Sequence, residues 1–247
     1  MYMDREVVVS TIAFFLTVCK MTFGNPNAAK PQGSRHAPRE EVITRSVTTT
    51  LPSAALHGRV PAMTLIPVIT YYLETRDPRD LRAKRSPRRD LALVRLLPPM
   101  PVLNRFFYTA VGADWHWTDR LPWPYQRWLD YVNRVELETW MLTVQGVPAG
   151  YYELEAQPGQ DVEIAYFGLL PTFVGGGLGG HLLTCAIERG WATGARRVWV
   201  HTCTLDHPQA LANYQARGMR LYKEETKVED VATRSVGPWP GAFPEKA

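Results

Sequence analysis

The sequence predicts a mixed α/β domain, and three stretches carry that expectation. Ile66 to Thr75 (IPVITYYLET) is β-branched and aromatic and forms a strand. Thr139 to Gln145 and Ala149 to Glu155 form two strands around the turn Gly146-Val147-Pro148. Asp161 to Leu170 (DVEIAYFGLL) is a long apolar strand ended by Pro171, after which five glycines crowd into positions 175–180 at the start of a helical pattern.

The remaining elements follow in order. Asp77-Pro78 caps a short helix, Leu91 to Leu97 is a second strand stopped by Pro98-Pro99, and Leu103 to Val111 is a helix. Pro124 to Arg134 is another short helix with Trp128, Leu129 and Val132 on one side, and Gln157-Pro158-Gly159 is a turn. The helix from about Gly177 to Trp191 has two adjacent rows, Leu178, Leu182, Ala186 and Leu183, Ile187, Trp191, which make one buried face. Arg196 to Cys203 is a strand, His207 to Arg217 a helix ended by Gly218, and Met219 to Val228 the last strand.

The expected folded domain is 63–230, preceded by a leader at 1–62 and followed by an irregular tail at 231–247. Residues 7–19 are apolar but fewer than the roughly 20 needed to span a bilayer. Their flanks are not those of a signal peptide, because Arg5 sits between Asp4 and Glu6. Residues 20–62 have no hydrophobic period, so the leader reads as disordered or as an upstream mis-start. The three cysteines, Cys19, Cys185 and Cys203, suit a reducing, cytoplasmic setting, with export or tethering the alternative if residues 1–20 act as a signal. Neither they nor the six histidines have metal-site spacing, so no metal is expected.

The 247 residues are 45% hydrophobic and 21% charged with a net charge of +4, which suits a soluble domain and gives no argument for nucleic acid. The positive charge is local: Arg76 to Arg95 holds eight Lys/Arg against three Asp. That run reads as a solvated loop, or as a landing area for an anion.

The glycines need a reason, since each costs about 0.5–1 kcal/mol inside a helix. A strand that enters a glycine turn and then a helix presents unpaired N–H groups and the positive end of the helix dipole, a natural phosphate site. A Walker loop is excluded, because His181 rather than Lys follows Gly180. Gly175, Gly177 and Gly180 satisfy GxGxxG, but Val200 stands where a Rossmann acid belongs, and one helix remains where several are needed.

Val174-Gly175-Gly176-Gly177-Leu178-Gly179 resembles the Gln/Arg-x-x-Gly-x-Gly/Ala motif of the GNAT superfamily, with Val174 in place of Arg or Gln. Ala210, Tyr214 and Gly218 match that family's last helix, while His207 stands where Asn is common and Met219 where Phe is common. The resemblance covers about Leu65 to Val228 in element order and is specific from Asp161 to Met219. It implies a mixed, mostly antiparallel sheet with a splayed strand pair and helices on both faces. It implies transfer of an acetyl group from acetyl-CoA, as cosubstrate, to an amine by direct attack. A binding module that senses acyl-CoA, and less so a dinucleotide enzyme, are the alternatives.

By the same resemblance, the backbone of Phe167, Gly168, Leu169 and Leu170 holds the pantetheine arm, with the Leu169 N–H facing the thioester oxygen. Val174, Gly175, Gly176, Gly177, Leu178, Gly179, Gly180 and His207 complete the cofactor site. Tyr214 is the candidate acid for the leaving thiolate, and Glu163, twelve residues before Gly175 and between Val162 and Ile164, the candidate base. Glu153 and Glu155 are rivals for that role. Trp115, Trp117, Trp123 and Trp128 are candidates for the acceptor pocket, or for packing two short helices onto the sheet. The acceptor amine is undefined, no nucleic acid or membrane partner is expected for the folded domain, and a homodimer is left open.

Overall fold

The computed structural model describes residues 64–231, 237–239 and 242, all within one unit, His57–Ala247. The expectations for the leader and most of the tail lie outside the described residues.

The chain order is β1 (Thr64–Thr75), β2 (Leu91–Arg95), α1 (Pro101–Gly112), α2 (Tyr125–Val132), β3 (Leu137–Val144), β4 (Val147–Gln157), β5 (Asp161–Leu169), α3 (Leu178–Ala192), β6 (Arg197–Cys203), α4 (Ala210–Ala216) and β7 (Arg220–Val231). Local chemistry sets most boundaries. The Asp77 carboxylate accepts from the Arg79 N–H and starts a 3-10 turn at Pro78–Asp80. Pro101 opens α1, where its missing N–H costs nothing. The β3–β4 turn is tighter than the sequence suggests: Gln145 and Gly146 take φ of 52° and 81°, so Val147 and Pro148 already belong to β4. α4 is shorter than expected, because His207 Nδ1 accepts from the Gln209 N–H and makes a separate turn ahead of the helix.

Among the described residues seven strands form one sheet in the order β2-β3-β4-β5-β6-β1-β7, antiparallel except for β5 with β6. The first strand therefore lies between the last two. Thr70–Thr75 pair with β6 on one side, and Thr64–Glu74 pair with β7 on the other.

Helices cover both faces. On one, Leu182, Leu183, Ala186 and Ile187 of α3 bury fully against Leu154, Val162, Ile164 and Val198, and Tyr214 of α4 joins the same core. Each such aliphatic side chain contributes about 1.5–3 kcal/mol by leaving water. On the other face Phe107 and Val111 of α1 pack on Tyr151, with the Phe107 and Tyr151 rings stacked at 4.9 Å. Gly112 ends α1 without a side chain, because a Cβ there would overlap the Trp117 ring.

β5 positions everything that follows. Opposite it, Glu153 pairs with Tyr166 and Leu154 with Ile164, which leaves Ala165 as an unpaired bulge. On its other side β5 pairs with β6 over Asp161–Glu163 alone, against Arg197–Trp199. Beyond Glu163 the two strands diverge.

Two glycines separate backbone strain from collision. Gly194 and Gly218 have φ of 85° and 92°, but a Cβ at Gly194 meets nothing within 4 Å, whereas at Gly218 it overlaps the Asp80 carbonyl. Gly194→Ala should cost about 1 kcal/mol, and Gly218→Ala about 3 kcal/mol or more. Urea unfolding of the two variants measures the difference; equal midpoints would show that the Asp80 turn yields freely.

Candidate active site

A cleft of about 1130 Å³ opens where β5 leaves β6. Its walls are the Ile164–Leu169 stretch of β5, the glycine turn, α4, the end of β6 and the connection after α1. That connection reaches across to the β6–α4 loop twice. Trp117 Nε1–H donates to Asp206 Oδ1 at 3.3 Å, and the Trp115 ring meets His207 edge-on at 4.9 Å.

The β5 edge inside the cleft carries free backbone groups. The Leu170 N–H donates to the Ala149 carbonyl at 2.9 Å, towards β4. Strand alternation then turns the Phe167 and Leu169 amides the opposite way, into the gap. Phe167, Gly168 and Leu169 line the cleft and Leu170 does not, its amide being spent on β4.

The glycine turn sits at one end. Gly175 and Gly177 have φ of 90° and 76°, a region that side chains disfavour, and a Cβ on either would meet nothing within 4 Å. Gly177 caps α3 without a side-chain hydrogen bond, so the amides of Leu178, Gly179 and Gly180 have no partner within the helix. Val174, Gly175, Gly177, Gly179 and Gly180 face the cleft. Gly176 does not, and Leu178 is a core residue, 3% exposed.

Two cations lie here, Lys84 from within the basic run and Arg217, which no sequence pattern singles out. A Cβ on Gly180 would lie 2.5 Å from Arg217 Nη1 and 2.7 Å from Lys84 Cδ, so both side chains lean over the first turn of α3. Lys84 is pinned there: its N–H donates to Thr184 Oγ1 at 2.9 Å, and the Thr184 hydroxyl donates to the Gly180 carbonyl at 2.8 Å. Ser86 N–H bonds to His181 Nδ1 at 3.4 Å. The basic run is thus a loop stapled to α3 rather than a free one. Arg76, Arg79, Arg85, Arg88 and Arg95 each have a carboxylate partner, whereas Lys84 has none among the described residues.

Tyr214 lines the cleft from α4, 5% exposed, its ring 6.1 Å from that of Phe167. Burial, then the nearby Asp206 carboxylate, pushes its phenol well above the ordinary tyrosine range, so the proton stays on. His207 also lines the cleft.

The carboxylates divide by role. Glu163 lines the cleft, but its setting is not the apolar one its neighbours suggest. The side chains of Val162 and Ile164 pack into the α3 core, and alternation along the strand turns that of Glu163 the other way. Glu163 Oε2 accepts from Gln157 Nε2 at 2.7 Å, and Oε1 lies 3.1 Å from His201 Nδ1. Glu153 is 1% exposed and accepts from Asn104 Nδ2 at 2.7 Å and the Tyr131 hydroxyl at 2.6 Å. Glu155 is held by both terminal nitrogens of Arg134, at 2.8 and 3.0 Å.

The four tryptophans separate as well. Trp115 and Trp117 line the cleft. Trp128 is core, 1% exposed, and Trp123 packs on it at 5.3 Å. Arg120 fills the space between, its guanidinium 3.9 Å from the Tyr131 ring centre and 4.3 Å from that of Tyr166. His116, with φ of 56° and a buried, unpartnered Nδ1, is a further cleft residue that no sequence pattern marks. Among the described residues no cluster of His, Cys, Asp or Glu suits a metal, and no helix is long and apolar enough to cross a membrane.

Residues 102–219, from α1 to the end of the glycine cap after α4, match the acetyltransferase (GNAT) family, and this region of the chain is a GNAT domain. Solved structures share the fold. A GCN5-related N-acetyltransferase from Sphaerobacter thermophilus is similar at 16% identity and a TM-score of 0.51, over 70% of this chain and 54% of that one. A GCN5-related N-acetyltransferase from Kribbella flavida is similar at 18% identity and a TM-score of 0.50, over 69% of this chain and 61% of that one. A Drosophila protein is similar at 11% identity and a TM-score of 0.50, over 70% and 54%. The chain thus spans little more than half the length of these structures. A search of curated proteins gives no match.

Proposed function

We propose that the protein transfers an acetyl group from acetyl-CoA to a primary amine, by direct attack while both are bound. One observation supports this most: β5 offers a free backbone edge inside the cleft, with an anion-binding glycine turn at one end and a protonated phenol across from it. A pantetheine arm adds to the Phe167–Leu169 edge as a strand would. The pyrophosphate takes the N–H groups of the glycine turn, and Lys84 and Arg217 supply the charge that Val174 lacks.

An amide N–H in the gap, that of Leu169 or Phe167, polarises the thioester carbonyl. Tyr214 gives its proton to sulfur as the C–S bond breaks. The amine enters past Trp115 and Trp117. The direct test is a panel of primary amines scored for free coenzyme A release, beside acetyl-CoA calorimetry. Binding with no turnover of any amine would make the chain an acyl-CoA sensor, and no binding would overturn the reading.

Gly177→Asp places a carboxylate in open space at the glycine turn, so affinity for acetyl-CoA should fall at least tenfold, about 1.4 kcal/mol, while the positive φ costs about 1 kcal/mol of stability and the fold is kept. Calorimetry on the folded variant measures this, and equal affinity removes the turn from the site.

Lys84→Ala should weaken acetyl-CoA binding by roughly threefold to tenfold and flatten its salt dependence, since an exposed cation acts through screened charge. An unchanged salt slope would leave Lys84 as a structural staple.

Tyr214→Phe should lower kcat by about 10²-fold with KM for acetyl-CoA within twofold, because the hydroxyl acts only as the thiolate departs. Steady-state kinetics decide; wild-type kcat would leave Tyr214 as a packing residue.

A further inference from the structure

Glu163 is not a free carboxylate facing the cleft. It is the middle of a chain of hydrogen bonds along one face of the sheet. Trp199 Nε1–H donates to Gln157 Oε1 at 3.0 Å, and Gln157 Nε2–H donates to Glu163 Oε2 at 2.7 Å. The indole can only donate, so it fixes which end of the Gln157 amide meets Glu163. The remaining oxygen, Oε1, faces His201 Nδ1 at 3.1 Å. A carboxylate oxygen accepts, so Nδ1 carries the proton and donates, and the lone pair of the neutral ring lies on Nε2. The Glu163 side chain is 13% exposed and that of His201 49% exposed, so the histidine is the accessible member of the pair. Both line the cleft, on the two strands whose divergence creates it, and Glu163 stands two residues before the Ala165 bulge.

We propose that His201, through Nε2, is the general base of this site, and that Glu163 is a positioning residue that fixes its tautomer and orientation. The inference rests on the acyl-transfer reading above. His201 Nε2 takes one proton from the bound ammonium and passes it to solvent. The freed lone pair attacks the thioester carbon, a C–N bond forms and the C–S bond breaks. Tyr214 protonates the departing sulfur and is restored by the second proton the amine nitrogen loses. The products are the amide, coenzyme A with its thiol, and one proton in solution.

The surroundings of His201 define its pH behaviour. Glu163 faces it from β5, Asp206 from the loop after β6, and the Tyr72 ring lies 6.1 Å away on β1, itself bonded to Glu225 of β7 at 2.9 Å. Lys223 of β7 lies over that tyrosine, and Arg197 sits on β6 near Tyr222. The Glu163 hydrogen bond raises the imidazole above its ordinary value against the opposing effect of burial, and the Glu163 and Asp206 charges add to the rise. A base must be neutral to act, so turnover should climb as pH rises through that raised value.

The test uses the full chain with acetyl-CoA and the best-used amine among spermidine, tyramine, glycinamide and a lysine-containing tripeptide. His201→Gln should lower kcat at neutral pH by about 10²-fold, leave acetyl-CoA affinity within twofold and abolish the acidic limb of the pH–rate profile. Added imidazole should restore part of the turnover in His201→Gly. In Glu163→Gln the acidic limb, and the His201 titration followed by NMR of ¹³C-labelled histidine, should both move to lower pH. Wild-type turnover with a normal limb in His201→Gln, or a His201 titration unmoved in Glu163→Gln, overturns the assignment while the acyl-transfer reading stands. If the wild type binds acetyl-CoA and turns over none of the four amines, the acyl-transfer reading falls and this assignment with it.

Discussion

The pairing of β5 with β6 stops after three residues, and the rest of the structure depends on that stop. Had the parallel ladder continued to Leu169, the amides of Phe167 and Leu169 would be spent on β6 and the cleft would be closed. The bulge at Ala165 is the local cause, since an extra residue on one strand bends it and increases its twist. The bend carries β5 towards Pro171, and the turn that follows delivers the start of α3 to the cleft mouth. The free strand edge and the free helix start are thus consequences of one event. Both leave backbone donors unpaired, which a buried chain tolerates only where water or a ligand completes them.

The second constraint is the seat of β1. With β1 between β6 and β7, the last strand reaches the sheet only through the first. The family match begins at residue 102, after both β1 and β2, yet the sheet needs β1 to hold β7 and to place Tyr72 beside His201. β7 is the outer strand and is exposed along nearly its whole length. Its Lys223, Glu224, Glu225, Lys227, Glu229 and Asp230 discourage another strand from adding to that edge.

What the sequence made legible was local. The order strand, glycine turn, helix, strand, helix, strand from Asp161 onward rests on short-range periodicity and on glycines with positive φ, and the structure keeps it within a few residues. The place of β1 was not legible, because strand order is set by long-range pairing and IPVITYYLET would fit many positions in a sheet. Lys84 was hidden for a similar reason: its role depends on Thr184, a hundred residues away. Glu163 was misjudged in setting, because its chain neighbours Val162 and Ile164 face the other side. The tryptophans at short spacing did not reveal that Trp128 goes under and Trp115 stays at the surface of the cleft. Nor did they show that Trp117 closes down on the end of α1, which the missing side chain of Gly112 allows.

The wall of the cleft formed by the α1–α2 connection is held by a buried polar anchor as much as by apolar contact. Glu153, on β4, receives hydrogen bonds from Asn104 of α1 and Tyr131 of α2, and the Arg120 guanidinium of their connection lies 3.7 Å from it. Burial raises the Glu153 carboxyl above the usual carboxylate range, while Arg120 and the two hydrogen bonds act against that rise. A carboxylate so enclosed has little access to the cleft, being 1% exposed and absent from its walls. It is a strong constraint on geometry instead. Sliding either helix along the sheet would strand a buried charge, which costs several kcal/mol where an apolar slip costs far less. The same anchor therefore fixes Trp115, His116 and Trp117 relative to β5, and with them the width of the cleft opposite the free strand edge.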